Sequence, residues 1–278
     1  MMRTFTYILV CISALACAGC QQNTNNDGRQ KDLSIAIDTF TLNIWTPLCE
    51  GSEYGIEMSM NIEWPKKAIT EDALVKMQKD ISGLLFGSGL ATTDVEFAMN
   101  AYNSNTIEQY MEENSPENAY HDEDGNYFYT NWGEDIEGKF MEPYKKMVSY
   151  LKYIYGYSGG AHGLDALNGI TFDMKTGNVI RNEDLFIEGY ETILTELLRA
   201  RLLISIDNHD MLFEKDILPH DNFYITSTGI TYIYQRYEIG PYVLGIIEVT
   251  IPWKEIQDII RPISSQDNKL PTSPRVPS

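Results

Sequence analysis

From residue 31 onward, apolar and polar positions alternate along the chain. LSIAIDTF does so briefly and YGIEMSMNIEWP does so over a longer run, which predicts two β-strands. In the second, Ile56, Met58, Met60 and Ile62 share one face, while Glu57, Ser59, Asn61 and Glu63 are expected to face water. Pro65 lacks a backbone N–H and is expected to stop that strand. The period then lengthens. In TEDALVKMQKDISGLLFG, Leu74, Met77, Ile81, Leu84 and Leu85 recur at helical spacing, with Thr70 placed to cap the start and Gly87 to close the end. DVEFAMNAYNSNTIEQYMEEN predicts a second helix.

The acidic, aromatic stretch SPENAYHDEDGNYFYTNWGEDIEG is a loop, or a hairpin turning at Asp124–Gly125. Beyond it, MEPYKKMVSYLKYIYGYSGGAHG reads as a strand running into a glycine loop, and DALNGITFDMKTGNVI as a hairpin with its turn at Lys175–Gly177. NEDLF is expected to cap a helix from about Tyr190 to Ile206, with Leu194, Leu197, Leu198 and Leu202 inward. Two or three strands and a short closing element follow in NFYITSTGITYIYQRYEIGPYVLGIIEVTIPWKEIQDII. Blocks of strand and helix without regular alternation define an α+β class, with antiparallel sheets, a few packed helices and two subdomains.

The ends read differently. Arg3, the apolar run YILVCISALACA and the small residues before Cys20 form an export leader too short to span a membrane. CAGC resembles a bacterial lipobox, which implies cleavage before Cys20 and its lipidation, although Cys17 stands where that pattern has leucine. An ordinary secretory signal is the other reading. Residues 21–30 are polar and read as a tether, and the proline-rich residues 263–278 as a disordered tail. The expected location is the cell envelope, lipid-anchored, on the periplasmic or outer side.

Composition narrows the partners. With 21 basic and 40 acidic residues the net charge is −19, a field that repels nucleic acid and attracts a basic protein. Loss of Cys11 and Cys17 with the leader and of Cys20 to lipid leaves Cys49 alone, so no intramolecular disulfide is expected, and Cys49 reads as a packed thiol. Ser158 lacks a nucleophile elbow and its spacing from His162 makes no triad. No paired-cysteine or H-E-x-x-H zinc pattern occurs, and the carboxylates Asp122, Glu123 and Asp124 lack the spacing of a calcium loop. No catalytic residue, metal or cofactor is therefore assigned.

Two motifs remain. YSGGAHG joins three glycines, a hydroxyl and an imidazole at residues 157–163: either a contact loop or a tight turn in which His162 bonds the backbone. YEIGPYVLG, beginning at Tyr237, reads as a corner where Pro241 interrupts pairing, with tyrosines that pack or anchor a partner. The order YSGGAHG, ITFDMKTGNVIRNEDLF and FYITSTGITYIYQRYEIGPYVLGIIEVTIPWKEI resembles the RsiV-type extracellular domain over residues 143–262. Residues 31–142 resemble the α+β domain usually found in front of it. In RsiV anti-sigma factors that domain binds lysozyme. In some peptidoglycan deacetylases it precedes a separate catalytic domain. Neither a sigma-binding segment nor a deacetylase domain is found here, so neither activity is expected. The resemblance implies a binding module for lysozyme or a cell-wall glycan, with Tyr157, Ser158, Gly159, Gly160, His162, Tyr237, Pro241 and Tyr242 as candidate contacts. A cell-wall hydrolase or esterase using His162 and nearby carboxylates is the alternative.

Overall fold

The structure, a computed structural model, describes residues 35–261. The leader, Cys20, the tether and the tail lie outside the described residues.

Strands β1 (Ala36–Pro47) and β2 (Gly55–Lys67) form a long antiparallel hairpin. The even-numbered face of β2 is the buried one: Ile56, Met58, Met60 and Ile62 are each no more than 1% exposed. Ser59 and Glu63 on the other face are half-buried, not open to water. Glu63 Oε2 accepts a hydrogen bond from the Phe140 N–H at 2.7 Å, across the sheet. Nor does Pro65 end β2. It pairs with Ile37 beside a register shift, where the ladder tolerates its missing donor.

Helix α1 (Glu71–Phe86) starts where the Thr70 hydroxyl accepts from Ala73 N–H at 3.1 Å and ends at Gly87, whose φ is 93°. It buries Leu74, Met77, Ile81 and Leu85 against β2, while Leu84 is half-buried. Helix α2 (Val95–Glu113) is capped by the Asp94 carboxylate. A small hairpin follows, β3 (Tyr120–His121) with β4 (Tyr127–Phe128), held by Asp122, which accepts from Asp124 N–H and Asn126 N–H within its own loop.

β5 (Trp132–Phe140), β6 (Met147–Tyr157) and β7 (Leu164–Asp173) complete a five-stranded sheet ordered β1-β2-β5-β6-β7. The β2–β5 pair is parallel, which departs from the antiparallel expectation. Such a pair needs a crossover, and α1 and α2 provide it. The turn after β7 forms at Asp173–Gly177, but the return strand is reduced to one bridge, Phe172 to Val179. NEDL is its own short helix α3 (Asn182–Leu185), and Gly189 in the left-handed region leads into α4 (Tyr190–Ser205). Leu194, Leu198 and Leu202 of α4 are buried and Leu197 is half-buried. β8 (Phe223–Ile225), β9 (Gly229–Tyr234) and β10 (Ile247–Pro252) make a second, antiparallel sheet ordered β10-β9-β8.

Two hydrophobic cores result, and β6 belongs to both. Val148 and Tyr150 join the first core, with β2, α1 and α2. Met147, on the opposite face, joins the second, with α4 and the small sheet. The expected boundary at residues 142/143 therefore falls between two paired strands, β5 and β6, and does not separate the cores. Between the sheets, Ser149 and Thr171 hydroxyls meet at 2.8 Å and Ile225 N–H donates to Ser149 Oγ at 2.8 Å. The outer edge of β7 is met by side-chain amides. Gln235 and Asn222 both donate to the Leu167 carbonyl, Gln235 accepts from Leu167 N–H, and Asn222 accepts from Gly169 N–H.

Cys49 is exposed in the β1–β2 turn and is not the packed thiol expected. The turn begins after Pro47, the last β1 residue, which still pairs with Gly55, and Cys49 and Glu50 project beyond that end of the ladder into solvent.

Candidate functional site

The two motifs meet in space. β6 ends at Tyr157 and the chain turns through Gly159 and Gly160, at φ of 100° and 88°, values that a β-carbon would strain. The Tyr157 hydroxyl donates to the Gly160 carbonyl at 3.1 Å and closes the turn. His162 Nδ1 lies 3.0 Å from the Gly163 carbonyl, the backbone contact foreseen for it. Its ring stacks on Tyr242 at 4.0 Å with 24° between planes. The Tyr242 hydroxyl donates to the same Gly163 carbonyl at 3.0 Å.

The opposite segment is built to hold Tyr242 still. Pro241 opens a single 3-10 turn over Tyr242–Leu244. Arg236 donates to the Tyr242 carbonyl at 2.7 Å and lies 4.4 Å from the centre of its ring. The same guanidinium grips the Asp165 carboxylate with two donors, Nε to Oδ1 and Nη2 to Oδ2. That hydrogen bonding holds the Asp165 carboxyl below the usual carboxylate range and raises the arginine. Burial, and then the Asp165 charge, push the Tyr153 phenol up. Tyr237 sits at φ 65°, a conformation rare for a bulky side chain, and is 54% exposed. Its ring lies 5.8 Å from that of Tyr242. With Tyr155 and the 73%-exposed Val243, these residues present an aromatic surface on a rigid base.

His162, Tyr237, Pro241 and Tyr242 are thus brought together. Tyr157 and Ser158 instead line a cleft of 760 Å³ on the helix face of the sheet, which borders the patch at Asp165. Trp132 and Glu134 of β5, Ile154 and Gly156 of β6, and Tyr102 and Gln109 of α2 line it. Burial raises the Glu134 carboxyl, opposed by the Tyr102 hydroxyl and by Lys152. Burial lowers the Lys152 ammonium, which donates to the Leu85 carbonyl at 2.7 Å. Sequence reading missed this cleft and also missed Arg236. The alternation of Trp132, Glu134, Ile136 and Gly138 was its one local signal. Among the described residues, no group of three or more His, Cys, Asp or Glu side chains is placed to hold a metal ion.

The fold defines an α+β protein with two cores that share a strand. Residues 183–254 match the model of the family described as "Protein of unknown function (DUF3298)". A crystal structure of a DUF3298 family member from Bacteroides fragilis is similar to this chain, with 23% identity and a TM-score of 0.73 over 82% of this chain and 94% of that one. A DUF3298 family protein from Pseudomonas aeruginosa shares 18% identity and a TM-score of 0.60, over 82% and 95%. These likenesses show the fold. No curated protein matches the chain in sequence. The matched segment includes Arg236, Tyr237 and Tyr242 but not the glycine loop or the cleft.

Proposed function

We propose that this protein is an envelope-displayed binding module of the RsiV type, without catalysis, whose partner is a basic protein such as lysozyme. The observation that carries the reading is the stacking of His162 on Tyr242, which joins the two resembling motifs into one exposed aromatic patch. Aromatic side chains fixed in advance lose little freedom on binding and make good anchors. The acid excess of the chain favours encounter with a cation-rich partner. A cell-wall glycan is the second ligand class of the same reading. In the hydrolase alternative His162 would act through Nε2, since its Nδ1 meets the Gly163 carbonyl and one ring face meets Tyr242.

Surface plasmon resonance against a basic lysozyme tests the proposal. Tyr242→Ala should weaken binding by about 1–3 kcal/mol. Added salt should slow association more than it speeds dissociation, because screening acts on steering. Absence of binding at about 100 μM, weaker than a working protein complex, would remove lysozyme as the partner.

The anchor is part of the same proposal: mature protein begins at a lipid-modified Cys20 and faces away from the cytoplasm. Mass spectrometry of membrane-extracted protein should find acylated Cys20 at the N-terminus. An unmodified N-terminus beyond residue 20 overturns it.

A further inference from the structure

We propose that the cleft between α2 and strands β5–β7 is a binding site for a neutral saccharide, with Glu134 as the acceptor of a ligand hydroxyl and Trp132 and Tyr102 as stacking faces. The cleft borders the aromatic patch, since Asp165 lines it and also pairs with Arg236, but the proposal does not depend on the reading given to that patch.

Four features combine here. The first is size: at 760 Å³ the cleft falls within the range of about 300–1,000 Å³ that small-molecule sites occupy, room enough for a disaccharide. The second is an unmet acceptor. Glu134 lines the cleft; the neighbouring Tyr102 hydroxyl lowers its carboxyl but leaves Oε1 buried without a hydrogen-bond partner among the described residues. Such an oxygen is costly to leave bare. The terminal torsion of a glutamate is soft, so a small turn offers the oxygen to a donor in the cleft.

The third feature is the mixed lining. Trp132, Tyr102 and Phe86 contribute rings, and Asn105 and Gln109 contribute amides on the α2 wall. Ring faces carry negative charge and suit the C–H face of a sugar, while the amides and the carboxylate suit its hydroxyls. The fourth is charge. Glu113, Glu134 and Asp165 are the charged side chains of the lining, so an anionic ligand is repelled. A neutral ligand with many hydroxyls avoids that repulsion and brings the donors that these oxygens accept, which a quaternary ammonium group lacks.

The floor owes its depth to Gly156, which pairs with Glu134 across the β5–β6 ladder. A β-carbon there meets nothing within 4 Å, and the residue is not at positive φ. A larger side chain at 156 therefore fills the cleft without a clash or backbone strain.

Calorimetric titration of the purified mature chain tests the site, with cellobiose and N,N′-diacetylchitobiose as neutral probes, choline as a cation and glucuronate as an anion. At least one neutral disaccharide should bind with Kd of about 1 mM or tighter, and choline and glucuronate should not. Gly156→Leu should abolish the binding with an unchanged melting transition. Glu134→Gln should weaken it about tenfold, the worth of a charge-assisted hydrogen bond. Tyr242→Ala should leave it unchanged. The proposal is overturned if neither disaccharide binds, if choline or glucuronate binds in their place, or if binding survives both Gly156→Leu and Glu134→Gln. Lysozyme binding by Gly156→Leu, measured in parallel, separates failure of this site from failure of the aromatic patch.

Discussion

Replacing Gly169 with valine is expected to destabilise the protein by about 3 kcal/mol, near the upper end of overpacking effects. Gly169 lies in β7 where the two sheets come closest. A β-carbon there would stand 2.6 Å from the Phe223 carbonyl oxygen and 3.3 Å from Leu151 Cδ2. The nearest obstacle is backbone, so no side-chain rotation relieves it. The sheets would have to part, taking with them the hydrogen bond from Gly169 N–H to Asn222 at 2.8 Å. Gly133 supplies the control. It is also a strand glycine, but a β-carbon there meets nothing within 4 Å. Gly133→Ala should be neutral or stabilising by about 0.5 kcal/mol, since alanine has less backbone freedom to lose. Urea denaturation of both variants decides. Equal stability of Gly169→Val and the parent protein would refute the close approach.

Arg236→Ala is expected to cost about 2–3 kcal/mol of stability and to loosen the aromatic patch. The Arg236 and Asp165 side chains are 19% and 12% exposed, so the pair is largely shielded from water. Removing the cation leaves Asp165 charged and poorly solvated, at somewhat less than the 3–5 kcal/mol found for fully buried pairs. Lysine should rescue little, because it cannot make the two-pronged contact and also lie over Tyr242. The double variant Arg236→Met with Asp165→Leu should regain most of the stability but not the order of Tyr242. The sign with pH follows from the depressed Asp165 carboxyl. Its contribution is complete above the ordinary value of 3.8 and is lost as pH falls through the lower value in the folded protein. Arg236→Ala should therefore lose less stability than the parent protein between about pH 5 and pH 2. Thermal melts across that range check both claims, and parallel losses would show that the pair contributes nothing.

What could be read from the chain divides along physical lines. Regular burial leaves a local signature, so the alternation of Ile56 to Ile62, the Thr70 cap, the turn at Gly125 and the span of α4 were all legible. Pairing between distant strands leaves none. β5 reads as part of an acidic loop because Glu134, Asp135 and Glu137 dominate it, yet it is the centre of the five-stranded sheet. Its place beside β2 is set by a crossover of two helices, and the split at 142/143 missed it for that reason. Glu134 is one carboxylate among many until the fold lowers α2 beside it. In the patch, the motif residues Tyr237 and Tyr242 were visible as a cluster. Arg236 was not, since its partner Asp165 lies 71 positions away.

The amide side chains along β7 bear on how the molecule behaves when crowded. A sheet grows into a fibre only if both of its outer strands can accept a neighbour. Here Gln235 and Asn222 already occupy the outward-facing groups of Leu167 and Gly169 with the hydrogen bonds that an incoming chain would need. Whatever meets the open side of β1, lateral addition can proceed in one direction only, and two molecules joined there would end the series.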